Sequence, residues 1–110
     1  MLNKNEINKK DLIYRVLFEN HNNPMMLIDP DTGCILEANE SAIKYYGYSK
    51  DELLDMNIQD LSIYPSKQIT DEIHDRITHF ETIHLLSNGE QKEIEIYCSP
   101  VELEGKRLLF

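Results

Sequence analysis

Cysteine is scarce in this chain: Cys34 and Cys98 are the only two in 110 residues. Their separation matches no metal-ligand spacing, so a metal centre built on cysteine is excluded. Both are expected as reduced thiols in the core. Basic residues are also few. Eleven lysines and arginines stand against twenty aspartates and glutamates, a net charge of −9. A surface of that sign repels nucleic acid and anionic lipid, which removes both as partners. No apolar run approaches the ~20 residues that a membrane span requires. The opening MLNKNEINKK is too polar for a secretory signal, so a cytoplasmic location is expected and the Asn39-Glu40-Ser41 sequon reads as incidental. Catalytic signatures are missing too: there is no Gly-rich phosphate loop, HExxH, CxxC or nucleophile elbow. The acidic pairs Asp51/Asp55 and Asp71/Asp75 fall at surface spacing on predicted helices and read as solvated faces, not a general acid and base. The expected protein is one non-catalytic domain with room for one core.

What the chain does have is alternation. Phe80–Cys98 holds two alternating runs around Ser87-Asn88-Gly89. In the second run Ile94, Ile96 and Cys98 share one face and Glu93, Glu95 and Tyr97 the other. Burying Glu is costly, so the Ile/Cys face is expected inward. The first run has Phe80, Thr82 and His84 on one face, and Glu81, Ile83 and Leu85 on the other. A two-residue Asn88-Gly89 turn sets Ile83 beside Ile94. A three-residue loop with Gly89 left-handed sets Thr82 and His84 on the Ile94 face.

Before this hairpin, residues 5–20 read as a helix with an apolar stripe of Leu12, Ile13, Val16 and Leu17. Such a stripe lies on the chain's own sheet, forms a dimer seam, or both. Met25 to Ile28 and Cys34 to Ala38 read as strands joined by the turn Asp29-Pro30-Asp31-Thr32-Gly33. Asn39 caps a helix through Tyr46, ended by Gly47-Tyr48. Ser49 and Glu52 form a capping box for a short helix carrying Leu53 and Leu54. Ile58 to Leu61 is a further helical turn. A longer helix, about 66–78, repeats Ile69, Ile73 and Ile77 on one face. Pro100 ends the hairpin's second strand, and Glu104-Gly105 turns into a last strand, Lys106 to Phe110, which reads as cut short.

Strand, strand, several short helices, then three strands describes an α+β chain with helices packed on one side of an antiparallel sheet. With Asp29, Gly33, Ile35, Asn39, Ala42, Gly47, Tyr48, Ser49, Glu52, Leu53, Glu81, His84, Asn88 and Gly89 in that order and spacing, the chain resembles the PAS family of sensory domains. The resemblance covers about residues 12–110. It implies a five-stranded antiparallel sheet, order 2-1-5-4-3, with the helices walling a small pocket. Residues 1–20 would form a flanking helix and 21–110 the core. It also selects the register that turns Phe80, Thr82 and His84 inward. Ile83, Leu85 and Tyr97 then lie on the outer face, where an N-terminal helix of this or a partner subunit is their expected cover. Asp55 stands where the family often has Gly, and the family's acidic exit motif is absent.

The same resemblance frames the candidate chemistry. The flavin-binding branch uses a Cys after an Asn on the short helix. Here the matching pair is Asn57-Ile58, and Ile forms no adduct, so cysteinyl-flavin photochemistry is rejected. Haem-binding members use a His on the long helix. His74 and His79 lie off the Ile69/Ile73/Ile77 stripe and read as surface histidines, so haem is not expected and the cofactor stays open. His84 is the group to watch, either as a core histidine bonded to a neighbour or as a titratable group facing a ligand. The pocket candidates are Met26, Ile28, Leu36, Ile43, Ile73, Ile77, His84, Ile94 and Ile96. The docking candidates are Leu12, Ile13, Val16, Leu17, Ile83, Leu85 and Tyr97. Two functions fit. One is a sensor module whose ligand shifts the sheet to control an effector such as a histidine kinase or cyclic-dinucleotide enzyme. The other is a ligand-free dimerisation or docking module. A homodimer is expected in both.

Overall fold

The computed structural model describes residues 12–13, 15–63, 78–103 and 105–110, all but the side chains of residues 78 and 103. The predicted long helix, with Ile69, Ile73, His74 and Ile77, lies outside these residues except for Thr78, which opens a strand.

The helix α1 comprises residues 12–13 and 15–19. Strands β1 (Met26–Ile28) and β2 (Ile35–Ala38) follow, then helices α2 (Glu40–Tyr46) and α3 (Lys50–Leu54) and a 3-10 turn (Ile58–Leu61). After these come β3 (Thr78–Leu85), β4 (Gln91–Cys98), β5 (Pro100–Leu103) and β6 (Lys106–Leu109). All ladders are antiparallel, in a sheet ordered β2-β1-β6-β5 and a hairpin β3-β4. β4 runs into β5 through Ser99 alone, so the two ladders are joined along the chain. Pro100 marks the break but does not end the pairing. Ser99 and Phe110 exchange two backbone hydrogen bonds, N–H to C=O, at 2.9 and 2.8 Å. Neighbouring residues point their N–H groups to opposite edges, so the missing N–H of Pro100 faces away from β6, where proline is tolerated.

Local chemistry accounts for the helices. Asn39 caps α2 by accepting from the Ala42 N–H, and Gly47 closes it in the left-handed conformation at φ 80°. A Cβ at Gly47 would also collide with the Ser87 hydroxyl. Ser49 and Glu52 form the expected reciprocal box on α3, and the two hydrogen bonds from Ser49 hold the Glu52 carboxyl below its usual pKa range. Asn57 and Asp60 repeat that device on the 3-10 turn.

The core gathers Ile28, Ile35, Ala38, Ala42, Tyr46, Leu53, Ile58, Leu61, Leu86 and Leu109 between the sheet and the helices. Two expectations about packing are corrected, those for Leu36 and Cys34. Leu36 is 41% exposed, not inward. The β1–β2 register passes from Leu27↔Glu37 to Ile28↔Ile35, so Leu36 is the extra residue of a bulge and Ile35 takes the inner position. Cys34 is exposed, because it sits in an isolated bridge to Asn57 before β2 begins. The α1 stripe does not rest on the chain's own sheet. Leu12, Ile13, Val16 and Leu17 are 49–67% exposed, and Phe18 makes the packing instead, its ring 6.1 Å from that of Phe110.

Candidate functional site

The hairpin register decides what faces inward. Thr82 stands opposite Ile94, and Leu86 donates its N–H to the Glu90 carbonyl to close a three-residue loop in which Gly89 has φ 89°. That is the register with His84 and Thr82 on the Ile94 face. His84 is accordingly 1% exposed, and with Asn39 it is one of two buried polar residues among those described.

A cleft of about 650 Å³ opens beside His84. Its walls include Met26 and Ile28 of β1, Tyr45 and Tyr46 of α2, Ile58, and the β4 residues Ile94 to Cys98, with Leu109 and Phe110 at one end. Of the predicted pocket residues, Met26, Ile28, His84, Ile94 and Ile96 line it. Ile43 packs against the core from α2 and does not reach the cleft, while Leu36 is on the bulge outside it. Ile73 and Ile77 lie outside the described residues.

The polar chemistry of the cleft rests on one pair. The Tyr46 hydroxyl lies 2.7 Å from His84 Nδ1, with the rings tilted at 46°. Burial lowers the imidazole pKa from 6.5 to about 4 and raises the phenol well above its usual value, a rise to which Tyr45 adds. Both groups are therefore neutral at pH 7. Among the described residues His84 Nε2 has no hydrogen-bond partner. Two tautomers are conceivable. If Tyr46 O–H donates to Nδ1, only the Nε2–H is left unmet. If Nδ1–H donates to the phenol oxygen, both the phenol hydrogen and the Nε2 lone pair are unmet. Each unmet buried group costs about 1–3 kcal/mol, so the first arrangement is favoured. It leaves a single buried N–H donor on a side chain that lines the cleft.

The outer face of the hairpin is of another kind. Tyr97 is 68% exposed and stacks on His79 at 4.3 Å with the rings nearly parallel. Its hydroxyl donates to Glu95, which raises the Tyr97 pKa. Ile83 and Leu85 are half-buried. α1 of the same chain therefore leaves Tyr97 uncovered. Among the described residues no three His, Cys, Asp or Glu side chains gather in a metal-binding arrangement, and no helix is long and apolar enough to cross a membrane.

Sequence reasoning missed Asn39 as more than a cap. It is fully buried, and its Oδ1 accepts from the Met25 and Ala42 N–H groups while its Nδ2 donates to the Phe18 and Asn23 carbonyls. One side chain thus ties together the end of α1, the entry to β1 and the start of α2. The signal available was Asn at a helix start directly after a strand, which specifies one of these bonds and not the other three.

Comparison with known proteins places these features. The family model of the PAS domain matches residues 22–110. The diguanylate cyclase DgcM of Escherichia coli O157:H7 is 28% identical over 109 residues, which cover 92% of this chain and 26% of that protein. Its counterpart in strain K12 is 27% identical over the same length. The chain thus spans about a quarter of the length of the curated relatives it matches. Among solved structures, the PAS domain of an HTR-like protein from Haloarcula marismortui superposes with a TM-score of 0.81 at 21% identity, covering 96% of this chain and 91% of that one. A domain of a sensory box sensor histidine kinase/response regulator from Geobacter sulfurreducens gives 0.74 at 20% identity, covering 94% and 92%.

Proposed function

The chain belongs to the PAS domain family, and on that premise we propose that it is a non-catalytic sensory module whose cleft takes a small, mainly apolar molecule carrying one hydrogen-bond acceptor. The observation that carries this reading is the buried Nε2 of His84, a residue that lines the cleft, which has no hydrogen-bond partner among the described residues. A carbonyl, carboxylate or hydroxyl oxygen there satisfies the donor. Met26, Ile28, Ile94 and Ile96 pack the apolar remainder. Occupancy acts on signalling only to the extent that the ligand favours one conformation of the sheet over another. The effector would be a catalytic signalling domain of the same or a partner chain. The curated relatives are diguanylate cyclases, and solved PAS neighbours come from sensor histidine kinases.

Native mass spectrometry of protein purified without denaturation tests the reading. A bound mass of a few hundred daltons on the wild type, absent from a folded His84→Leu variant, is expected. An unliganded mass for both, with no change in the Tyr46, His84 and Ile96 NMR signals on adding short-chain carboxylic acids, would contradict it.

A second reading, docking without a ligand, is favoured by the exposed α1 stripe of Leu12, Ile13, Val16 and Leu17. Four neighbouring apolar side chains on one short helix suit a helix–helix seam with a second copy. The two readings are compatible, since stripe and cleft are built from different residues. Sedimentation equilibrium of the wild type and of a charge variant in the stripe, Leu17→Glu, separates them: a dimer lost in the variant supports the seam, and a monomeric wild type rejects it.

A further inference from the structure

The turn Asn88-Gly89 stands apart from the cleft, and its own chemistry is reactive. Asn88 is the only asparagine of the chain followed by glycine. Both residues are exposed at the tip of the β3–β4 hairpin. Among the described residues nothing lies within 4 Å of where a Cβ on Gly89 would sit, so solvent reaches the Asn88–Gly89 peptide from that side. No side chain on Gly89 hinders its nitrogen. Glu90 holds both ends of the Asn88 amide. Oδ1 accepts from the Glu90 N–H at 2.9 Å, and Nδ2 donates to the Glu90 carboxylate at 3.0 Å. A donor on Oδ1 stabilises the negative charge that this oxygen gains when a nucleophile adds to Cγ. One bond acts the other way. The Gly89 N–H donates to the Leu86 carbonyl at 3.0 Å, which keeps the adjacent nitrogen from reacting while the loop is closed.

We propose that Asn88-Gly89 is a self-modification site: opening of the loop lets the Gly89 nitrogen attack the Asn88 side chain, and the isoaspartyl product loosens the joint between the hairpin and α2. Hydroxide takes the Gly89 amide proton, and the nitrogen forms a bond to Asn88 Cγ. The Cγ–Nδ2 bond then breaks, and Nδ2 leaves as ammonia with a proton from water, which returns the hydroxide. Water opens the resulting cyclic imide. Attack at the side-chain carbonyl gives Asp. Attack at the main-chain carbonyl gives isoaspartate, whose backbone runs through Cβ and Cγ and is one carbon longer. The joint lies directly beside the site. Ser87 donates its N–H to the Tyr46 carbonyl at 2.8 Å and its hydroxyl to the Gly47 carbonyl at 2.9 Å. Leu86 is buried and donates to the Glu90 carbonyl at 2.8 Å. The three-residue loop sets the register that buries His84. A longer loop backbone cannot keep both the Leu86–Glu90 and the Gly89–Leu86 bonds at that register. The Asp product keeps the backbone path but sets a second carboxylate against Glu90, where an N–H had donated. None of this rests on the ligand reading.

The test incubates the folded 110-residue chain, its Ser87→Ala variant and a free peptide of residues 84–92 at mildly alkaline pH. Conversion at position 88 is followed by peptide mapping with mass spectrometry, which separates Asn, Asp and isoaspartate. The folded wild type is expected to convert about 10-fold more slowly than the peptide, because the loop must open first. Ser87→Ala, which removes the bond to Gly47, is expected to convert within about 3-fold of the peptide. In the isoaspartyl chain, separated by ion exchange, amide exchange at Leu86 and Ser87 is expected to quicken by about 10-fold. No isoaspartate in the wild type after about ten half-lives of the peptide overturns the proposal. A wild type that converts as fast as the peptide, or a Ser87→Ala chain that converts no faster than the wild type, also overturns it. So does unchanged exchange at Leu86 and Ser87 in the isoaspartyl chain.

Discussion

The two halves of this PAS domain are built to different tolerances. In the half made by β1, β2, α2 and α3, side chains such as Ile35, Ala38, Ala42 and Leu53 are at most 1% exposed, and the one buried polar residue, Asn39, has its side chain fully bonded. In the β3–β4 hairpin no β4 residue is buried, and the buried polar side chain His84 has one nitrogen unmet among the described residues. The first half is a packed platform. The second is a flap whose inner face is only partly covered, and the cleft lies where the two fail to close. Sensory behaviour needs such asymmetry, because regions with little burial open and shift at low free-energy cost.

Truncation experiments put numbers on the contrast. Leu53→Ala is expected to destabilise by about 3 kcal/mol, since it empties a fully enclosed site, while Ile94→Ala on the half-exposed β4 face is expected to cost about 1 kcal/mol. Urea denaturation reads both. Equal losses would mean that the hairpin is as tightly packed as the platform.

The pH dependence of stability comes next. Burial holds the His84 pKa at about 4 against 6.5 unfolded, so the unfolded state takes up a proton first as the pH falls. The folded state is favoured fully above pH 6.5, loses stability as the pH falls toward 4, and loses no more from this group below that. The predicted loss is on the order of 3 kcal/mol. It is read as the difference between wild-type and His84→Gln denaturation curves, in which the carboxylate contributions cancel.

Asn39→Ala removes the α2 cap, strands the Met25 N–H and takes away the Asn39 donor to the Phe18 carbonyl. It is expected to cost about 2 kcal/mol, and proton exchange should quicken at Met25 and at the end of α1. On the flap's outer face, Tyr97→Ala should change stability by less than about 0.5 kcal/mol, because the side chain is mostly in water.

How much of this the sequence disclosed follows the same division. Capping chemistry is local, so Asn39, Ser49-Glu52 and the Gly47 stop were legible residue by residue. The hairpin was legible to within one choice of turn, and the family resemblance made that choice correctly for His84. Leu36 was not legible, because a bulge changes the face of a residue without changing the alternation around it. The exposure of the α1 stripe was not legible either, since an apolar periodicity states that a face is sticky and not what it sticks to. The strand Pro100–Leu103 was hidden by a proline whose missing N–H happens to face the harmless edge. The unmet nitrogen of His84 belongs to three-dimensional contacts between β3 and α2, thirty-eight residues apart, and no local pattern carries it.

The imidazole itself gives the most direct check. A ¹⁵N-NMR titration of His84 in the folded protein should show a midpoint near 4, with the proton on Nε2 above it. A midpoint at the ordinary 6.5, with both nitrogens exchanging freely with water, would mean that the side chain is not buried against Tyr46.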